Sequence, residues 1–115
     1  MKLHYYKTAG GKNLILDYIN GLSRDEKKDG VAVLDKLKQN KTDELIIKRW
    51  QGKILEVYFY KHNRLFYIVV EDTDIYLLHA CQKQKNKTEK RDSDIVIKRA
   101  KEVSNLFYNN FTGEE

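Results

Sequence analysis

Apolar residues along this chain change their spacing several times, and each change marks an element. They first fall at Leu14, Ile15, Tyr18, Ile19 and Leu22, which predicts a helix beginning near Lys12 with one buried face. Helical spacing continues at Val31, Leu34 and Leu37, with lysines on the other side. Ser23-Arg24-Asp25-Glu26 opens this second helix as a capping box, in which Ser23 accepts from a free amide and Glu26 reaches back. Gly30 lies inside it and weakens it by roughly 1 kcal/mol relative to alanine. Asn40 to Asp43 ends it. β-type runs then take over at 45–50, 54–60, 64–70 and 75–82. The gaps, Lys61-His62-Asn63 and Glu71-Asp72-Thr73-Asp74, are short enough for antiparallel hairpins. Val96, Ala100, Val103 and Phe107 restore the helical period, with Thr88 as a candidate cap. Asp92 and Asp94 come early in this helix and Lys98, Arg99 and Lys101 later, as the helix dipole favours. A short strand at 3–7 precedes everything, followed by the turn Ala9-Gly10-Gly11.

The expected order is β-α-α-β-β-β-β-α, an α+β fold. Two N-terminal helices and one C-terminal helix are expected on one face of a small twisted antiparallel sheet. The other face would stay open as a binding surface.

Length and charge narrow the picture. A chain of 115 residues is one domain, 1–115, with neither linker nor repeat in view. Its 22 Lys+Arg against 17 Asp+Glu give a net charge of +5, which favours an anionic partner. No apolar run approaches transmembrane length, and Met1 to Gly11 lacks the character of a signal peptide. A cytoplasmic protein without membrane contact is the expectation. The single cysteine, Cys81, excludes an internal disulfide and a cysteine-rich zinc site. Three scattered histidines point to no metal, and no cofactor motif is present.

Candidate chemistry gathers between Lys53 and Lys101. Arg64 opens the third β-type run, and its guanidinium suits a phosphate through two parallel hydrogen bonds. Lys83 and Lys87 flank the end of the last strand, where either could neutralise a phosphate or move a proton. Lys85, Lys90 and Arg91 extend that basic run. Lys48 and Lys53 fit contacts to a phosphate backbone, which set affinity without reading sequence. Tyr58 can stack on a base, and His62 lies in the turn beside Arg64. Glu56, in mid-strand, is a poor acid–base group and better suited to holding a neighbouring cation. His79 reads as a half-buried, hydrogen-bonded histidine, and His4 as structural. Tyr67 reads as core.

Several of these motifs resemble the RelE/HigB-like toxins of bacterial type II toxin–antitoxin pairs, in their phage-derived HigB-like branch. Ile54-Leu55-Glu56-Val57-Tyr58 matches that family's first strand motif in part, and Arg64-Leu65-Phe66-Tyr67 matches the second fully. Leu77-Leu78-His79-Ala80-Cys81-Gln82-Lys83 matches the third with changes. The lysine-rich turn and Lys98-Arg99-Ala100-Lys101 follow in order. Tyr58 stands where the family usually has Arg, Cys81 where it has Phe, Gln84 where it has a second Lys, and Glu89 where it has Pro. The resemblance implies a RelE-like fold and a metal-independent, ribosome-dependent endoribonuclease that cleaves translated mRNA. It further implies a cognate antitoxin, usually of helix-turn-helix type. An RNA- or protein-binding module of the same fold, without cleavage, is the alternative.

Overall fold

The structure is a computed structural model that describes residues 1–83 and 90–112. Its elements are β1 (Lys2–Tyr5), α1 (Leu14–Asn20), α2 (Arg24–Lys38), a 3-10 turn (Thr42–Glu44), β2 (Ile46–Gln51), β3 (Ile54–Phe59), β4 (Asn63–Val70), β5 (Asp74–Gln82) and α3 (Lys90–Thr112). The α+β class and the order of helices and strands are as expected.

Local chemistry explains the boundaries. Asn13 caps α1, its side-chain oxygen accepting from Leu16 N at 3.1 Å. At the start of α2, Ser23 Oγ accepts from the Glu26 amide at 3.5 Å and donates to Glu26 Oε1 at 2.8 Å. Asn40 takes a left-handed φ of 59° and lets the chain turn out of α2. In the β4–β5 hairpin Glu71 and Asp72 both have positive φ, with Thr73 N donating to Val70 O at 3.2 Å. These two left-handed positions let the chain reverse within the three residues between the paired Val70 and Asp74.

The sheet runs β1-β5-β4-β3-β2. Strands β2 to β5 are antiparallel neighbours. The first strand corrects the expectation of an antiparallel sheet. Residues 2–5 pair parallel with β5, Leu3 opposite Ile75 and Tyr5 opposite Leu77, so the sheet is mixed. The two helices between β1 and the hairpins carry the chain across the sheet, which allows a parallel return.

Helix placement is the second correction. Ile15, Ile19, Val33, Leu34 and Leu37 of α1 and α2 pack with Val57, Phe59, Leu65, Tyr67, Ile75 and Leu77 on one face. On the opposite face Val96 and Ala100 of α3 pack with Ile54, Phe66, Ile68, Leu78 and Cys81. The expected stripe at Val96, Ala100 and Val103 is the one that docks, while Phe107 and Thr88 lie outside the side chains or residues described. Among the described residues, the part of that second face near the β3–β4 hairpin stays open, with Ile46 and Lys48 exposed on it.

A register shift in β5 sets which residues reach this second face. Phe66 pairs with His79 but Tyr67 pairs with Leu77, so Leu78 is an extra residue in the strand. Such a bulge re-aims the side chains that follow it. Leu78, His79 and Cys81 therefore share the face of Phe66 and Arg64.

Within α2 the buried positions are Gly30, Val33, Leu34 and Leu37, whereas Val31 is 51% exposed. Gly30 is a packing site. A Cβ built there would lie 3.0 Å from Phe59 Cε2 and 3.3 Å from Ile19 Cγ2. Gly30→Ala gains about 1 kcal/mol of helix propensity and loses about 1–3 kcal/mol to overpacking. The expected outcome is a lower urea midpoint, and a more stable variant would show that this contact relaxes freely.

Candidate functional site

Strand alternation puts Glu56 and Tyr58 of β3 on one face with Arg64 of β4 opposite Tyr58. All three are joined. Arg64 donates to Glu56 Oε2 from Nε at 3.0 Å and from Nη2 at 2.5 Å. Tyr58 OH donates to the other oxygen, Oε1, at 2.9 Å. Side-chain exposure is only 5% for Arg64 and 6% for Glu56, so this ion pair is buried. Burial and the Glu56 carboxylate raise the Tyr58 phenol above its usual range, against the opposing pull of Arg64. Tyr58 is thus a neutral donor at physiological pH.

Two lysines complete the arrangement. Lys48 on β2 places Nζ 5.3 Å from the Tyr58 ring centroid. Lys83, just past β5, places Nζ 5.1 Å from the same centroid. Arg64 Cζ lies 5.6 Å away. Lys83 is held there by its backbone amide, which donates to His62 O at 2.5 Å. Among the described residues neither lysine makes an ion pair, and only Arg64 has a carboxylate partner. Both ammonium groups lie within about 5 Å of one centroid, so they are at most about 10 Å apart and repel by at least about 0.4 kcal/mol even in water. An anion placed between them relieves that repulsion.

Four of the residues selected from sequence, Lys48, Tyr58, Arg64 and Lys83, therefore come together. Among the described residues the others do not join them. Lys53 lies in the β2–β3 turn at the far end of β3, beside Ala100 and Lys101 of α3. His62 faces Glu26, its Nε2 3.8 Å from Oε2. Lys90 and Arg91 are exposed at the start of α3. Lys85 and Lys87 lie outside the described residues. Arg64 itself is buried rather than presented at a strand start, so a phosphate arriving from solvent meets Lys48 and Lys83 first.

A second polar group lies beside this one. His79 Nε2 is 2.8 Å from Asp92 Oδ1 in the first turn of α3. Arg99 donates to Leu78 O at 2.9 Å, with Nη1 3.4 Å from His79 Nδ1. Desolvation lowers the His79 pKa, helped by Arg99 and Arg91 and opposed by Asp92. Its imidazole is neutral at neutral pH. The ligand atoms of His79, Cys81 and Asp92 all lie within 4.8 Å of one another. The His79-Ala80-Cys81 spacing was the visible signal for this group, but Asp92 comes from another element.

Across the sheet, Asn63 is fully buried. Its amide donates to Glu26 Oε2 at 2.9 Å, and Tyr18 OH donates to its oxygen at 2.6 Å. Asn63 and Ser23 hold the Glu26 carboxyl below its usual range, with His62 adding a smaller pull. A carboxyl depressed in the folded state stabilises above its unfolded value and loses that contribution as pH falls through the folded value. Stability should therefore fall more steeply between about pH 5 and about pH 3 in the parent than in Glu26→Gln. Urea midpoints measured across that range check this, and parallel pH curves would refute it.

The phage-derived Gp49-like family model (DUF891) matches residues 17–101. The chain belongs to this family. The match takes in α2 and β2 to β5, and with them Lys48, Glu56, Tyr58, Arg64, His79, Cys81, Lys83 and Asp92. In this Gp49-like chain β1 falls outside the matched stretch. No curated protein matches the chain. Among the described residues no helix is long and apolar enough to cross a membrane.

Proposed function

We propose that this Gp49-like protein is the toxin of a type II toxin–antitoxin pair and cleaves messenger RNA on the ribosome. The observation that carries the reading is the convergence of Lys48, Arg64 and Lys83 on the Tyr58 ring. An aromatic face among cations is what a single-stranded RNA asks for, a base on the ring and a phosphate on the charges.

In the reaction, the ribose 2′-oxygen bonds to phosphorus and the bond from phosphorus to the 5′-oxygen breaks. A base takes the 2′-hydroxyl proton, and the leaving 5′-oxygen takes up a proton. Negative charge grows on the non-bridging oxygens, where Lys48 and Lys83 stabilise it more than in the ground state. Arg64 acts from beneath, fixing Glu56 and through it the Tyr58 hydroxyl. The partners of this reading are the ribosome, its message and a neutralising antitoxin of helix-turn-helix type.

Burial of Arg64 favours one second reading, a module that binds RNA without cutting it. Primer extension on message from a cell-free translation reaction separates the two. Cuts that appear only on translated message support the ribosome-dependent nuclease. Intact message with unchanged translation overturns it and leaves the binding module.

A further inference from the structure

We infer that His79, Cys81 and Asp92 form a binding site for a divalent transition-metal ion of zinc type. Three independent features of the fold bring them together. Alternation puts His79 and Cys81 on one face of β5, and the bulge at Leu78 makes that the face α3 covers. Docking of α3 through Val96 and Ala100 lowers its first turn onto that face. Asp92 lies in that turn, and its carboxylate meets the His79 ring at 2.8 Å.

The donor set selects the ion. A thiolate, an imidazole and a carboxylate suit zinc or cobalt, whereas magnesium and calcium want oxygen alone. All three ligand atoms lie within 4.8 Å of one another. Bonds of about 2.0–2.3 Å to one tetrahedral ion put its ligands about 3.3–3.7 Å apart, so the 2.8 Å pair of Nε2 and Oδ1 opens by about 0.5 Å while the widest separation closes by about 1 Å. Cys81 is 7% exposed. The side chains of His79 and Asp92 are 14% and 21% exposed, which leaves an entry side. Water takes the fourth position.

Charge and protons balance. Binding releases the Cys81 thiol proton, and the resulting thiolate with the Asp92 carboxylate neutralises the dication. The ion takes the place of the hydrogen bond between Nε2 and Oδ1, and the neutral ring's single proton moves from Nε2 to Nδ1. Metallation at Nε2 leaves the ring proton on Nδ1, so Arg99 gives up its 3.4 Å approach there and keeps its 2.9 Å bond to Leu78 O. The ion would pin α3 to β5, with the sequence that carries Lys83, Lys85, Lys87 and Lys90 lying between the ligands Cys81 and Asp92. This inference does not depend on RNA cleavage and is read without RNA.

The test is titration of the reduced full-length chain with cobalt(II) chloride, followed by absorbance. A thiolate-to-cobalt charge-transfer band that saturates at one ion per chain, and is bleached by zinc chloride, is expected. Cys81→Ser should abolish the band. Asp92→Asn, at a more exposed position, should keep the parent's far-ultraviolet circular dichroism and weaken cobalt binding at least about 10-fold. Absence of the band in the parent chain overturns the proposal, as does Asp92→Asn binding cobalt with undiminished affinity.

Discussion

Arg64→Ala is expected to lower folding stability by about 3–5 kcal/mol, because it strands the Glu56 carboxylate in a buried site. Tyr58 OH alone would remain as its hydrogen-bond donor. For a domain of this size each kcal/mol is worth roughly 4 °C, so the melting temperature should fall by roughly 12–20 °C. Replacing both partners, as in Glu56→Leu with Arg64→Met, should recover much of that loss, since no buried charge is left unpaired. Thermal melts of the two single variants and the double variant measure the coupling. A loss under about 1 kcal/mol for Arg64→Ala would mean that water reaches the pair. The same number bears on function. A loss of toxicity in Arg64→Ala reports folding as much as chemistry, so that variant cannot identify a catalytic group.

The two lysines give the cleaner readout. Lys48→Ala combined with Lys83→Ala should slow cleavage of translated message by at least about 100-fold, the scale of losing a transition-state charge contact. Folding should change by less than about 0.5 kcal/mol, because Lys48 is exposed and neither lysine has an ion-pair partner among the described residues. Each lysine that touches a phosphate should also remove about 0.7 from the salt slope of single-stranded RNA binding. Rates of cut-site appearance and binding at several salt concentrations check both parts. Unchanged rates and unchanged slopes would remove the Tyr58 cluster from the mechanism.

The local part of the fold was legible because its signals are local. Ser23 and Glu26 announce a helix start by hydrogen-bond chemistry alone. Alternation through residues 54–70 announces a hairpin, and the stripe at Val96, Ala100 and Val103 announces a docked helix. None of these signals says which face a helix covers, since the stripe on α3 would suit either side of a two-sided sheet. The parallel pairing of β1 with β5 joins residues some seventy positions apart, as His4 and Asp74 show, and no periodicity encodes it.

The candidate site divides along the same line. Glu56 holding a neighbouring cation was readable from its mid-strand position. That Arg64 is this cation, and is buried, depends on how β3 and β4 pair. Lys53 looked equivalent to Lys48 in sequence, but Lys48 pairs with Glu56 in the middle of β3 whereas Lys53 lies in the turn before that strand begins. Asp92 belongs with His79 only because α3 crosses back over β5.

The bulge at Leu78 makes β5 respond differently to two kinds of change. A chain shortened by that one residue would keep every position from His79 onward in its present frame and forfeit a single side chain under α3. A chain of unchanged length that regularised the strand would swing His79 and Cys81 into the α1–α2 core and bring Ala80 and Gln82 out in their place. Shortening here therefore costs one buried leucine, whereas register slippage amounts to a simultaneous replacement at every downstream position.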